Sequence, residues 1–217
     1  MFSQAAILPI SALWYSRDQA EWKHALERYW TFVQPANLEL EHAMERLDHE
    51  RIRNFDADGW FGFLHNEYFR WKYTAPNRYA TTTAFLRRKC SDSAGRAMLN
   101  GIKEKLLALE ASNTASAIEI AHQIPGLGTA GASGLLALLY PSSFGTVDQF
   151  AVKALRDVPH LPEAELIVRM KPEALTIPNA VVLIEIMRRQ AKTLSDAFGD
   201  EWTPRAVDKV LWTYGRG

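Results

Sequence analysis

Apolar residues recur at intervals of three and four through most of this 217-residue chain, and runs that alternate apolar with polar are scarce. Such spacing lines one face of a helix and cannot line one face of a strand. It predicts helices over 16–33 (Ser16 as cap; Trp22, Leu26, Trp30 and Phe32 near one face), over 38–52 (Leu38, Leu40, Ala43, Leu47), and from Asp56 or Asp58 through Trp60, Phe61, Leu64 and Tyr68. Pro35 ends the first, and Pro76 disfavours helix at Ala75. Further helices are expected over 78–89, 94–111, 113–122, 129–139, 148–156 and 178–198. The pair Thr203 and Pro204 starts a last one running to about Tyr214. The expected class is therefore all-α, with roughly ten or eleven helices and little or no sheet. The length suits a single domain over 1–217, built as a two-lobed helical bundle with a cleft between the lobes. Pro159, Pro162 and Pro172 mark the loosest connection, so a lobe boundary is expected there or near Ser91 and Ser93.

Composition narrows the functions. With 47% hydrophobic residues the chain is core-forming and not disordered. One cysteine, Cys90, excludes an internal disulfide, a cysteine-only zinc site and an iron–sulfur cluster. Of the six histidines only His42 and His49 share a helical spacing; both are read as solvated on one face, and no side-chain metal site is expected. The apolar stretch at the N-terminus stops at Pro9 and Ser11 and lacks a leading basic region, so it is read as a packed arm of a cytoplasmic protein, neither signal peptide nor membrane span. Lys plus Arg equals Asp plus Glu at 25 each, which argues against generic polyanion binding by net charge. Local basic groups remain: Arg87, Arg88 and Lys89, Arg188 and Arg189, and Arg205, Lys209 and Arg216. Arg188, Arg189, Arg205 and Lys209 are read as solvated helix faces, and Trp212 and Tyr214 as core.

The most informative stretch is 120–148, IAHQIPGLGTAGASGLLALLYPSSFGTVD. Two helices meet at Pro125, Gly126, Leu127 and Gly128. Glycines at 126 and 128 allow a sharp turn and a close approach by a partner, while Leu127 plugs the helix–helix core. The helix that follows starts with Thr129, Ala130, Gly131 and Ala132, without bulk, so its free N–H groups and dipole suit a phosphate oxygen.

Ile124, Pro125, Gly126, Leu127 and Gly128, then Ala132, the apolar helix through Leu139, and Val147 with Asp148 together resemble the helix-hairpin-helix DNA glycosylase superfamily. The segments NEYFRWKYTAPNRYATTT and WTPRAVDKVLWTYGR look like features of a bacterial branch of it. In that family the glycine turn binds a DNA phosphate, and an essential aspartate follows about twenty residues later; here Asp148 lies about twenty after Gly128. The resemblance thus implies that segment 114–157 carries both hairpin and catalysis, that Gly126, Leu127, Gly128, Thr129 and Ala130 contact DNA, and that Asp148 is catalytic. Lyase members carry a lysine two residues after the second glycine. Ala130 stands there, implying a monofunctional enzyme that uses water. By the same resemblance turn carbonyls can hold a monovalent cation; no other cofactor is expected.

The chemistry suits an aspartate. Breaking an N-glycosidic bond builds positive charge on deoxyribose, and a nearby carboxylate stabilises that state and activates water. Asp148 also suits the N-cap of the helix that follows it, whose N–H groups would hold its negative charge. Reach permits both roles: the helix from Thr129 carries the chain about 16 Å away, and the eight residues from Tyr140 to Val147 can return about 26 Å.

A base taken from the stack needs flat or apolar walls. The run Glu67, Tyr68, Phe69, Arg70, Trp71, Lys72 and Tyr73 is the densest mix of aromatic and basic groups. Trp71 or Tyr73 can stack on a base, Glu67 can read its edge, and Lys72 and Arg78 can meet phosphates; core packing is the competing reading for the aromatics. Three functions stay open: a monofunctional glycosylase acting as a monomer on double-stranded DNA with a damaged or modified base, in repair or in defence; a non-catalytic hairpin that binds DNA; and a helical interaction protein. None of the three involves a membrane. Which base is excised does not follow from the residues.

Overall fold

Eight of the helices begin at a side chain that accepts a bond from the first turn, and these caps fix where the chain changes direction. The computed structural model describes residues 8–110 and 113–216; the rest of the expected N-terminal arm, 1–7, lies outside the described residues. In chain order the helices are α1 Ile10–Leu13, α2 Gln19–Phe32, α3 Leu38–Glu45, α4 His49–Arg53, α5 Ala57–Phe63, α6 Phe69–Lys72, α7 Pro76–Lys89, α8 Ser93–Leu107, α9 Thr114–His122, α10 Thr129–Leu139, α11 Gln149–Arg156, α12 Ala164–Arg169, α13 Ile177–Phe198 and α14 Pro204–Arg216. A 3-10 turn at Pro35–Asn37 precedes α3, and a π-helical turn at Leu64–Tyr68 joins α5 to α6. Among the described residues there is no strand, so the chain is all-α.

Several expected boundaries move, each for a local reason. Asp18, not Ser16, caps α2, its carboxylate accepting from Ala20 N–H at 2.8 Å. The helix expected over 38–52 is two, because Arg46 leaves helical geometry and Asp48 caps a new start. His42 and His49 therefore lie on different helices: His42 stacks on Trp30 at 4.5 Å, and His49 packs edge-on against Tyr140. Helix α8 ends at Leu107, short of the expected end at 111. The capping box at Thr176 and Asn179 starts α13, and Gly199, at φ 72°, ends it. Helices α1 and α12 lie in segments without a clear period.

One continuous apolar cluster holds the molecule, with Trp22, Trp60, Phe63, Tyr68, Phe69 and Phe144 fully buried. Around it, α5 packs on α8, and α9 on α8, α10 and α13. The other side is made from both ends of the chain: α14 lies against α2, α11 and α13. Tyr214 donates to Leu8 O at 2.8 Å and Gln190 to Trp14 O at 3.0 Å, so the described part of the arm is packed. Neither Ser91–93 nor 159–172 divides this arrangement, because α2 completes the C-terminal side. A cavity of about 1050 Å³ opens between α3, α6, α7, the α9–α10 turn, the start of α11 and α14. No described helix is long and apolar enough to cross a membrane.

Candidate active site

The cleft's floor begins at the turn between α9 and α10. Gly126 has φ +95°, and a Cβ there would lie 2.8 Å from Thr82 O and 3.1 Å from the Phe69 ring. Both the backbone angle and the space therefore demand glycine. Leu127 is buried, as a core plug, and does not line the cleft. Gly128 is extended and exposed, and a Cβ there would meet nothing within 4 Å. It is the N-cap of α10 and offers no side-chain cap, so no side chain satisfies the first N–H groups of the helix, whose residues Thr129 and Ala130 line the cleft.

Aromatic hydroxyls grip this hairpin from behind. Tyr68 donates to Gly131 O at 2.5 Å and Tyr73 to Gly126 O at 3.3 Å. The grip requires glycines: a Cβ at Gly131 would come 2.6 Å from the Tyr73 oxygen, and one at Gly134 2.9 Å from the Tyr68 oxygen and 3.3 Å from Lys72 Cδ. The π turn at Leu64–Tyr68 inserts an extra residue before α6 and so sets which side chains of 68–73 face the hairpin.

Two bonds aim the segment before α11 at the same cleft. Thr146 N–H donates to Asp208 Oδ2 at 2.6 Å, and Val147 N–H to Ser133 Oγ at 3.0 Å. Asp148 then caps α11, its Oδ1 accepting from Phe150 N–H at 2.9 Å and Ala151 N–H at 3.1 Å. No hydrogen bond among the described residues falls on Oδ2. Half-buried Asp148 lines the same cleft as Gly126, Gly128, Thr129 and Ala130.

Lys72, Tyr73, Trp71 and Arg78 share that cleft. Trp71 is fixed by its Nε1 donating to Glu41 Oε2 at 2.7 Å. Burial pushes the Tyr73 hydroxyl above its ordinary pKa. Burial also pushes the Lys72 amine below the ordinary lysine value, opposed by the charges of Asp148 and Asp208. Glu67 is elsewhere: it holds Arg51 with two bonds of 2.6 and 3.1 Å, outside the cleft lining, so it is not placed to read a base there.

The residues that sequence reasoning missed come from α2, α3, α11 and α14. Arg205 and Lys209, expected as solvated, are 6% and 7% exposed. Arg205 binds Asp208 at 2.9 Å and Glu45 at 2.6 Å, lies 3.6 Å from Glu41, and Lys209 also binds Glu45. Tyr29 donates to Glu41 at 2.6 Å, and burial drives its pKa upward. Asp208 is raised to about 6 by burial, against the opposing pull of Arg205 and the Thr146 amide. Tyr29, Glu41, Arg205, Asp208 and Phe150 all line the cleft. Trp212, expected in the core, is a half-buried cleft wall with Arg216 4.7 Å above its ring. The i,i+3 pair Arg205 and Asp208 was visible in the sequence, but its burial was not. Arg188 bonds Ser143 O and Thr114, and Arg189 pairs with Glu163, so both tie helices together.

The cleft is mixed in charge. Lys72, Arg78, Arg205 and Arg216 face Glu41, Asp148, Glu173 and Asp208. No described group of three His, Cys, Asp or Glu could hold a metal. Turn carbonyls of Ile124, Gly126 and Gly128 already accept from Leu127 N–H, Tyr73 O–H and Ala132 N–H.

The chain matches no family model, no curated protein and no solved structure. What it can do must be read from the cleft.

Proposed function

We propose that this protein is a monofunctional DNA glycosylase acting, as a cytoplasmic monomer, on double-stranded DNA that carries a damaged or modified base. The observation that carries the reading is the meeting of two features in one cleft: the first turn of α10 at Thr129 and Ala130, which no side chain caps, and the carboxylate of Asp148. The amides of that turn bind a backbone phosphate. Arg78 and Arg216, both exposed at the cleft, add phosphate contacts, so local groups and not net charge provide the grip. The extruded nucleotide enters between Trp71, Tyr73, Phe150 and Trp212. Its C1′–N bond breaks, the base leaves with the electron pair and takes up a proton, and a water oxygen bonds to C1′. Asp148, with Oδ2 unused by the helix cap, stabilises the positive sugar and takes the water's proton. A monovalent cation at the turn would share carbonyls that already accept hydrogen bonds.

A panel of duplexes carrying alkylated, oxidised, mismatched or hypermodified bases tests this, scored for abasic sites with wild type and Asp148→Asn. Base release by wild type that is lost in the variant is expected. The second reading, a DNA-binding hairpin without chemistry, draws on the capping role that Asp148 already has. On that reading no duplex yields abasic sites, Asp148→Asn binds like wild type, and substitution at Gly128 alone weakens binding.

A further inference from the structure

Between Glu67 and Asp92 the chain carries six lysines and arginines and no acidic residue, although the whole chain has no net charge. Four of the six lie on α7, which buries Thr83 and Leu86 and packs Tyr79 against the core. Arg78, Thr82, Phe85 and Lys89 follow one another at helical spacing, so they share one stripe beside that buried face. Arg87 falls on the opposite side of the helix from the stripe. The stripe begins inside the cleft, which Arg78 and Thr82 line. Its middle is pressed against the hairpin, since a Cβ at Gly126 would come 2.8 Å from Thr82 O. It then runs out of the cleft through Phe85 and Lys89, both exposed. The Phe85 ring is 39% exposed and holds the Arg88 guanidinium 5.1 Å from its centroid, which draws that charge toward the stripe. The acids at the two ends of the run are engaged elsewhere: Glu67 pairs with Arg51, and Asp92 accepts from Gly95 N–H at 2.7 Å. Exposed cations are ordinarily just solvated. These are aligned, lack a described acidic partner, and continue from the turn that grips phosphate.

We propose that the α7 stripe is a track for the DNA backbone: it carries the duplex arm that flanks the nucleotide held at the hairpin, with Arg88 and Lys89 against phosphates of that arm. The inference rests on the DNA reading of the hairpin and not on base release. From Arg78 to Lys89 the helix advances about 16 Å, the axial length of about five base pairs. Contacts of this kind add affinity and fix the register of the duplex without reading its sequence. The exposed end of the stripe leaves the hairpin in one direction, so only one arm of a duplex meets it.

An unmodified duplex, titrated with the protein at a series of salt concentrations, tests the track without any chemistry. Each phosphate contact contributes about 0.9 to the slope of log affinity against log salt, so Arg88→Gln combined with Lys89→Gln should make the slope shallower by about 1.8. Both side chains are exposed, so the melting temperature should stay at the wild-type value. Arg87→Gln, also exposed but on the opposite side, keeps the wild-type slope. So does Lys23→Gln combined with Lys192→Gln, which removes the same charge from α2 and α13. Shortening one arm of the duplex abolishes the difference between wild type and the Arg88 and Lys89 variant, and shortening the other arm leaves it. A wild-type slope in that variant, an equal loss per charge in Arg87→Gln, or equal effects of shortening either arm overturns the track. Absence of duplex binding by wild type overturns it too and, alone among these results, removes the DNA reading as well. Abasic-site formation on the lesion panel reports on base release separately.

Discussion

Gly126 and Gly128 are two residues apart and do different work. Gly126 is required by the fold: φ +95° is strained for any side chain, and Thr82 O and Phe69 occupy the space. Gly126→Ala should destabilise the protein by roughly 1–3 kcal/mol in denaturant unfolding. Gly128 faces open space at an ordinary φ, so Gly128→Ala should leave stability within about 0.5 kcal/mol. The added methyl stands where a phosphate would approach, so affinity for duplex, measured by titration at fixed salt, should fall about tenfold. Asp148 separates in the same way. Asn is as good an N-cap as Asp, so Asp148→Asn should keep the melting temperature and the duplex affinity. On the proposed glycosylase reading, base release should drop about 100-fold or more, because the carboxylate charge is gone. A melting temperature that falls with activity would mean that Asp148 matters as a cap alone.

Helix α14 shows how one element sets a distant one. Asp208 holds Thr146 N–H at 2.6 Å, two residues before Asp148, and is itself held by Arg205. Its pKa of about 6 lies above the ordinary carboxylate value of about 3.9. Acidification through about 6 therefore removes the charge that anchors the segment, and base release should show an acid limb there that Asp208→Asn abolishes. The sign for stability is opposite. A folded pKa above the unfolded one means that the folded state takes up the proton first, so through this group acid between about 6 and about 4 favours the fold. Loss of activity without loss of circular dichroism across that window is the expected signature. The α5–α6 unit is the second such element: its π turn brings Tyr68, Lys72 and Tyr73 against α10, while Glu67 turns away to Arg51.

The two ends of the chain meet through buried charge. Arg205 and Lys209 on α14 share Glu45 on α3, and Glu41 links the same group to Tyr29 on α2 and to Trp71. Burial raises the Glu45 pKa, but Arg205 and Lys209 outweigh it and hold the carboxyl below its ordinary value. Its contribution is present above that ordinary value and is lost as pH falls through the lowered one. Removing Glu45 leaves buried Lys209 without its paired carboxylate, while Arg205 keeps Asp208, so Glu45→Gln should cost about 3 kcal/mol in urea unfolding at neutral pH. A loss under about 0.5 kcal/mol would show the network to be structurally idle.

Helix content, the positions of α7, α9, α10, α11 and α13 to within a residue or two, and the glycine corner with its spaced aspartate were legible in the chain, because period, caps and turn residues act over a few neighbours. The π turn and the short helices were not, since no local pattern separates them from ordinary turns. Burial of Arg205, Lys209 and Asp208 was illegible for another reason. Charged residues are solvated unless paired; Glu45, which pairs with Arg205 and Lys209, lies about 160 positions away, and the Thr146 amide that binds Asp208 lies 62 away. Only tertiary packing brought α3, α6, α10 and α14 around one cavity, because a side chain's environment is set by whatever helix lies opposite. That packing placed Lys72 and Trp212 in the cleft and kept Glu67 out of it.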